Sequence, residues 1–379
     1  MSETLGVEGH VAPGFEPVRD LFASNFSRQD DYRELGAALC VYEGGRRIVD
    51  LWGGAADPAR AAPWRADTLV NVWSTTKALT AFAVAVCADR GLFAYADPVA
   101  SVWPEFAAAG KGAVTIAQVM SHQAGLPGFA EPTAIEDFED WELVTARLAA
   151  QAPAFTPGAA NSYHAATYGF LAGEIVRRAT GKSLGRFVAE EIAGPLDADF
   201  FIGLPAALEH RVARLFAPKA APDMTALEIP DAAMMALVNP SIDPESPNAR
   251  AWRAAEMPAL NGQASARGIA RVFAAFASDG EGVMSARGIE KMLEVQTHRE
   301  DLMLGFRPHW AMGVAKNEIG IFGPNPETFG HTGWGGSFGC ADRERGLAIG
   351  YVCNQMGGEL VGDPRAHALC AAIYERLGR

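Results

Sequence analysis

From Ser74 to Asp89 the chain carries no polar face. Leu79, Phe82, Val84, Val86 and Cys87 are separated by alanine and threonine, and Lys77 is the one charge before Asp89. A helix that is apolar all the way round must be buried on every side. Gly91 follows as a residue suited to the left-handed turn that ends a helix. The rest of the fold therefore has to be assembled in layers around this segment, which requires a large core. The chain's 379 residues and 49% apolar content supply one, and the length allows two or three domains.

The same segment carries a reactive pair at its mouth. Ser74 and Lys77 stand at i and i+3, on one helix face with Cβ atoms about 5–6 Å apart, so the lysine nitrogen reaches the serine oxygen. A hydroxyl is a poor nucleophile until a neighbouring base takes its proton, and a desolvated lysine is one such base. The chain has six lysines, and only Lys77 has a serine three residues before it. Ser-x-x-Lys is a short pattern whose meaning depends on the partners the chain supplies.

Composition narrows those partners. Net charge is −13, arginine far outnumbers lysine, and no basic cluster of five or more occurs. Nucleic acid and anionic membrane surfaces are thereby excluded. Met1–Pro17 has neither a basic n-region nor an apolar h-region, so no secretory signal is expected. No run of about 18 apolar residues suggests a membrane span. Cys40, Cys87, Cys340, Cys353 and Cys370 are odd in number, widely spaced and in apolar contexts, and read as buried free thiols in a reducing compartment. The expectation is a soluble cytoplasmic protein whose oligomeric state the sequence leaves open.

Periodicity gives the order of elements. Helical spacing from Glu16 to Phe26 is followed by a hairpin, Ala37–Tyr42 and Arg47–Trp52 about Glu43-Gly44-Gly45. After the apolar approach Thr68–Trp73 and the buried helix, residues 97–258 read as mostly helical. Helices are expected at 115–122, 141–151, 168–178 and onward through Ile192, with long loops and some helix over 217–260. An amphipathic helix follows at 265–278 and another at 289–295. Strands at 310–315, 329–341 and 346–353 and a helix at 363–377 close the chain. Strands at both ends with helices between predict one sheet built from both termini around a helical insertion.

Two further stretches carry chemistry. Pro157-Gly158-Ala159-Ala160-Asn161-Ser162-Tyr163-His164-Ala165 precedes a helix, and a tyrosine at such a junction can project its hydroxyl into a cleft. Desolvated beside Lys77, Tyr163 could act as base or proton shuttle for Ser74; taken alone, it reads rather as a packed ring with a satisfied hydroxyl. Gly330-His331-Thr332-Gly333-Trp334-Gly335-Gly336-Ser337-Phe338-Gly339 is rich in glycine for a strand. That suits either close approach of a ligand to an open edge or a bulge.

Ser74-x-x-Lys77, then Tyr163 after Pro157-Gly158, then His331-Thr332-Gly333 resemble, in this order, the three active-site motifs of penicillin-recognising serine hydrolases. That superfamily includes class C β-lactamases, D,D-peptidases and family VIII carboxylesterases. Val119-Met120-Ser121-His122-Gln123-Ala124-Gly125-Leu126-Pro127 is similar to a further signature, as are Tyr168–Val176 and Thr180-Gly181-Lys182-Ser183. The resemblance runs from Ala37 to the terminal helix. It implies an α/β fold with an antiparallel sheet flanked by helices, formed by residues 1–76 and 262–379, plus a mainly helical domain, 77–261, with the site in the cleft between them. It also implies roles: Ser74 as acylated nucleophile, Lys77 as proton acceptor or relay, Tyr163 as partner base. The backbone N–H groups of Ser74 and Trp334 would form the oxyanion hole, and His331, Thr332, Gly333 and Trp334 would line the substrate site.

Two departures shift the expected substrate. Tyr163-His164-Ala165 lacks the asparagine amide that holds a β-lactam side chain in many β-lactamases. His331 stands where a lysine is common, and a neutral imidazole anchors a carboxylate more weakly than an ammonium. Trp334-Gly335-Gly336 resembles a family VIII esterase signature. The expectation is a carboxylesterase acting on small or short-chain esters, with β-lactamase, D,D-peptidase, acyltransferase or a non-catalytic binding homologue as alternatives. Gly335-Gly336-Ser337-Phe338-Gly339 also matches the nucleophile elbow, but an elbow needs a helix directly after the serine, and a strand is expected there. The eight histidines form no His-x-x-x-His pair and the cysteines no Cys-x-x-Cys, so neither metal nor cofactor is expected. His122 reads as structural, and His164 lies near the cleft by adjacency to Tyr163.

Overall fold

Alternation along the central strands puts apolar side chains on both faces of one sheet. In β12 (Leu347–Cys353), Leu347, Ile349 and Tyr351 join one core cluster while Ala348 and Val352 join another. In β2 (Gly36–Glu43), Leu39 and Val41 join the first, Ala38 and Cys40 the second. A period of two with both faces apolar requires helices on both sides.

A computed structural model describes residues 6–220 and 230–378. The chain runs β1 (Val7–Val11), α1 (Glu16–Ser24), β2, β3 (Arg46–Asp57), β4 (Ala62–Pro63), β5 (Val70–Asn71) and α2 (Thr76–Asp89). Then come α3 (Ile116–Met120), α4 (Trp141–Ala150), α5 (Thr167–Thr180), α6 (Leu184–Val188) and β6 (Phe200–Phe201). They are followed by α7 (Asp231–Val238), α8 (Arg250–Ala254), β7 (Gln263–Ala264), α9 (Ala266–Ala277) and α10 (Ala286–Met292). Last are β8 (His309–Trp310), β9 (Ala315–Lys316), β10 (Phe329–Thr332), β11 (Phe338–Asp342), β12 and α11 (Pro364–Leu377). The large antiparallel sheet has the order β1-β3-β2-β12-β11-β10-β9-β8, with β4 beside β3; β5-β7-β6 form a small second sheet. Strands from both ends of the chain thus meet at β2–β12, where Ala37 pairs with Cys353.

Helices α1 and α11 cover one face through Val18, Phe22, Leu369 and Ile373. Helix α9 covers the other, and α2 lies behind it, buried from Thr76 through Cys87 as its composition requires. Phe82 stacks on Phe276 at 3.9 Å and meets Phe273 edge-on at 5.3 Å. All five cysteines are buried and free. No helix among the described residues is long and apolar enough to cross a membrane.

Three expectations are corrected. The segment 329–341 is two strands, β10 and β11, reversing through Gly333–Ser337, where Gly335 and Gly336 have φ of +88° and +123°. The segment 310–315 is the short hairpin β8–β9, turned at Gly313 (φ +89°), where a Cβ would meet Tyr168, Ala81 and Met120. The buried helix begins at Thr76 and not at Ser74, which sits on a preceding 3₁₀ turn, Trp73–Thr75. Residues 1–5 of the N-terminal reading and 221–229 of the expected loop region lie outside the described residues.

Candidate active site

The segment that carries Ser74 is held in an unusual backbone conformation. Trp73, a bulky residue, has φ +45° directly before Ser74, a state that persists only where the surroundings impose it. Thr76 imposes part of it: its hydroxyl donates to Trp73 O at 2.5 Å and accepts the Gly262 N–H at 2.9 Å. Of residues 70–80 only Ser74 is not fully buried. Its position ahead of α2 sets it at the positive end of the helix dipole.

Lys77 is wholly buried, with Nζ 2.9 Å from Ser74 Oγ, 2.7 Å from Ala165 O and 3.0 Å from Ala259 O. Burial pushes its pKa well below the ordinary lysine value, and among the described residues no carboxylate hydrogen-bonds to it. A neutral amine has two N–H donors and one lone pair. In that form the two carbonyls, which can only accept, would take both donors and leave the lone pair facing the Ser74 hydroxyl. The position that lacks the expected asparagine, Ala165, therefore contributes its backbone carbonyl to Lys77.

Tyr163 lies over Lys77, whose Nζ is 4.8 Å from the ring centroid. Asp301 positions it, accepting the Tyr163 N–H at 3.0 Å together with those of Met303 and Leu304. Trp310 stacks on the ring, with centroids 5.8 Å apart. Burial raises the phenol pKa, the neighbouring Ser74 hydroxyl opposes this, and Asp301 adds to it, so the hydroxyl stays protonated. His122 and His164 pack beneath: His122 Nδ1 accepts the His164 N–H at 3.1 Å, and both imidazoles are kept neutral by burial.

The third motif approaches from the sheet. β9 pairs with β10 only at Phe329 and Gly330, so His331 and Thr332 keep an unpaired edge on that side. His331 Nδ1 lies 2.7 Å from Thr332 O, which can only accept; the proton is therefore assigned to Nδ1 and Nε2 is an acceptor. Burial, and then Lys77, push the His331 pKa down to about 3, so this group presents no cation to a substrate. In the turn, the N–H groups of Gly333, Gly335 and Gly336 bond to Ser337 O, Glu359 O and Gly333 O. The Trp334 N–H, between them, makes no such backbone bond among the described residues, and its indole packs on Trp73 at 5.1 Å. Ser337 is buried, with its hydroxyl donated to Val72 O at 2.9 Å.

Two cavities meet at Ser74. One of about 660 Å³ is walled by Phe306, Trp310, Ile321, Phe322, His331 and Thr332. The other, about 870 Å³, is walled by Trp73, Ala165, Leu237, Ile242, Leu260 and Met303. Ser74, Tyr163, Trp334 and Leu360 border both; the exposed linings are mainly apolar, with Arg307, His309, Lys316 and Glu318 also bordering the first. The structure thus brings Ser74, Lys77, Tyr163, His331, Thr332 and Trp334 to one place. The sequence reading missed Asp301, Trp310, Leu360 and the Ala259 carbonyl. No motif marks them, and Ala259 acts through its backbone alone. Among the described residues no group of three or more His, Cys, Asp or Glu side chains is placed to hold a metal ion.

Comparison with known proteins gives one answer. The esterase/beta-lactamase LipL of Mycobacterium tuberculosis is 36% identical over 394 residues, spanning 98% of this chain and 88% of that protein. The crystal structure of a family VIII carboxylesterase superposes with TM-score 0.91 at 46% identity, covering 98% of this chain and 99% of the other. A penicillin-binding protein homolog from Caulobacter crescentus superposes with TM-score 0.91 at 41% identity, with the same coverage of 98% and 99%. The beta-lactamase family model matches residues 22–372, and the chain belongs to that family.

Proposed function

We propose that this protein is a serine hydrolase that cleaves small, uncharged carboxylic esters through an acyl-enzyme on Ser74. The observation that carries the reading is the buried Lys77 amine, 2.9 Å from Ser74 Oγ, with two backbone carbonyls occupying its N–H donors. As Ser74 Oγ attacks the ester carbonyl, its proton passes to the Lys77 lone pair. The oxyanion is held by the N–H groups of Ser74 and Trp334, at the positive end of α2. Collapse breaks the bond to the alcohol oxygen, and the Lys77 proton returns to that oxygen, relayed by the Tyr163 hydroxyl. Water then repeats the sequence on the acyl-Ser74 ester: Lys77 takes its proton, the acid leaves, and Ser74 regains its own. In this scheme Lys77 is the base, and Tyr163, whose phenol burial keeps protonated, is the shuttle.

The two apolar cavities suit an acyl group on one side and an alcohol group on the other, and a neutral His331 disfavours a carboxylate. The names of LipL and the penicillin-binding homologue support a second reading, binding or hydrolysis of β-lactams. The neutral His331 and Ala165 weigh against it. The same proposal assigns residues 1–76 with 262–379 to one domain and 77–261 to another, with Ser74 where they meet. It makes the protein cytoplasmic, on the support of five unpaired buried thiols.

The test offers the purified protein p-nitrophenyl acetate, butyrate and octanoate beside a chromogenic cephalosporin, with Ser74→Ala as control. Ester turnover lost in Ser74→Ala supports the reading. Turnover that persists in that variant, or strong cephalosporin hydrolysis with little ester hydrolysis, overturns it.

A further inference from the structure

The serine in Gly335-Gly336-Ser337-Phe338-Gly339 does not resemble a nucleophile in its surroundings. It is buried in the turn between β10 and β11, and a strand follows it. Its hydroxyl has one proton, and Val72 O, 2.9 Å away, receives it. Thr75 answers from the same segment as Val72: its Oγ1 is 3.2 Å from Ser337 O and 3.2 Å from Ser337 Oγ. The Ser337 carbonyl also accepts the Gly333 N–H at 2.7 Å, which closes the turn. Val72 and Thr75 bracket Ser74, and Gly333 and Ser337 bracket Trp334. A Cβ on Gly333 would run into Val72 O and Ser337 Oγ, so the absence of a side chain at Gly333 is what lets the two segments approach this closely.

The two N–H groups that the proposed mechanism aims at one oxyanion come from segments remote in sequence. Their relative placement must be fixed by something that touches both. Side chains able to bond across this junction are Ser337 and Thr75. Arg365 braces the outer side of the turn, donating to Gly335 O at 2.9 Å, but it does not reach the Ser74 segment.

We infer that Ser337 is a positioning residue of the oxyanion hole: with Thr75, it fastens the turn carrying the Trp334 N–H to the segment carrying Ser74. The inference rests on the reading of Ser74 as nucleophile. Without the Ser337 hydroxyl the turn keeps its strands but loses this tie, and the donors drift apart. Displacements near an ångström cost on the order of 10²-fold in rate.

The experiment compares wild type, Ser337→Ala, Thr75→Val, the double variant and Ser74→Ala on p-nitrophenyl butyrate. Melting temperature and near-ultraviolet circular dichroism report folding. For Ser337→Ala we expect kcat lower by about 10- to 100-fold with KM within about twofold. Inhibition by phenylboronic acid, which forms a tetrahedral adduct on the nucleophile, should weaken in the same proportion. The double variant should lose more than either single one, because the Ser337 Oγ–Val72 O and Thr75 Oγ1–Ser337 O bonds are separate ties across one junction. A merely structural serine would lower the melting temperature without this split between kcat and KM. If Ser337→Ala fails to fold, Thr75→Val carries the test. A kcat within twofold of wild type in a folded Ser337→Ala, with Ser74→Ala inactive, overturns the inference and leaves the esterase reading intact. Activity retained in Ser74→Ala overturns the reading itself.

Discussion

Replacing His331 by glutamine removes an imidazole that the folded protein keeps neutral. Burial, and secondarily Lys77, push its pKa down to about 3, against ~6.5 for an unperturbed histidine. Burial is the larger cause, so the direction holds with Lys77 neutral. Below about pH 6.5 the unfolded chain takes up a proton here that the folded chain refuses until the pH nears 3. This contribution to stability is therefore complete above the unfolded value and is lost as the pH falls from there toward the folded one. At pH 5 the loss is RT ln(1 + 10^1.5), about 2 kcal/mol. His164, held down to about 4 by burial, and His122 make similar demands, but they do so in both proteins and cancel. Unfolding entropy of ~2.1 cal/mol/K per residue over 379 residues converts this to roughly 2–3 °C. Melting temperatures of wild type and His331→Gln are compared at about pH 7.5 and about pH 5. The gap between the two proteins should move by that amount in the variant's favour at the lower pH. A gap unchanged with pH would mean that His331 titrates in the folded protein as it does in the unfolded one, and the picture of a neutral, acceptor-only anchor would fail.

Other consequences follow from the same geometry. If neutral Lys77 is the base, kcat/KM on an uncharged ester rises with pH and levels off well below the ~10.4 of an exposed lysine, because burial depresses its pKa; an inflection at or above that value contradicts the assignment. Asp301→Ala leaves two buried N–H groups and one half-buried one without their acceptor, and should cost about 2–4 kcal/mol in unfolding free energy while lowering kcat by loosening Tyr163; urea unfolding and steady-state kinetics measure both. Phe82→Ala opens a cavity between α2 and α9 and should cost about 3–5 kcal/mol, with kcat per folded molecule little changed.

The sequence exposed those parts of the fold that have a period. Helix α2 was legible from its lack of a polar face, the β2–β3 hairpin from its alternation and its glycines, and α9 from its amphipathic spacing. Reversals were harder to see. Glycines at 335 and 336 read as weak points within a strand and Gly313 drew no comment, whereas positive φ makes all three the turns that split two expected strands into hairpins. At the site, Ser74, Lys77, Tyr163 and His331–Trp334 were visible because ordered motifs carry them. Asp301 was not, since a carboxylate that caps three N–H groups in a loop leaves no spacing to read. The Ala165 and Ala259 carbonyls could not be foreseen, because any residue type supplies a carbonyl. The strand expected after Ser337, in place of an elbow's helix, is there, but the tie from Ser337 to Val72 exists only once the segments meet.

The central claim is that Ser74 becomes covalently acylated. It is tested most directly with a neutral alkylphosphonate p-nitrophenyl ester, which phosphonylates an activated serine and remains attached. Trypsin places Ser74 on the peptide Ala66–Lys77 and Ser337 on Asn317–Arg343, so mass spectrometry separates them. The account predicts one phosphonyl group per chain, on Ser74, accumulating in step with loss of ester hydrolysis. Label on Asn317–Arg343, or inactivation with Ser74 unlabelled, would contradict it.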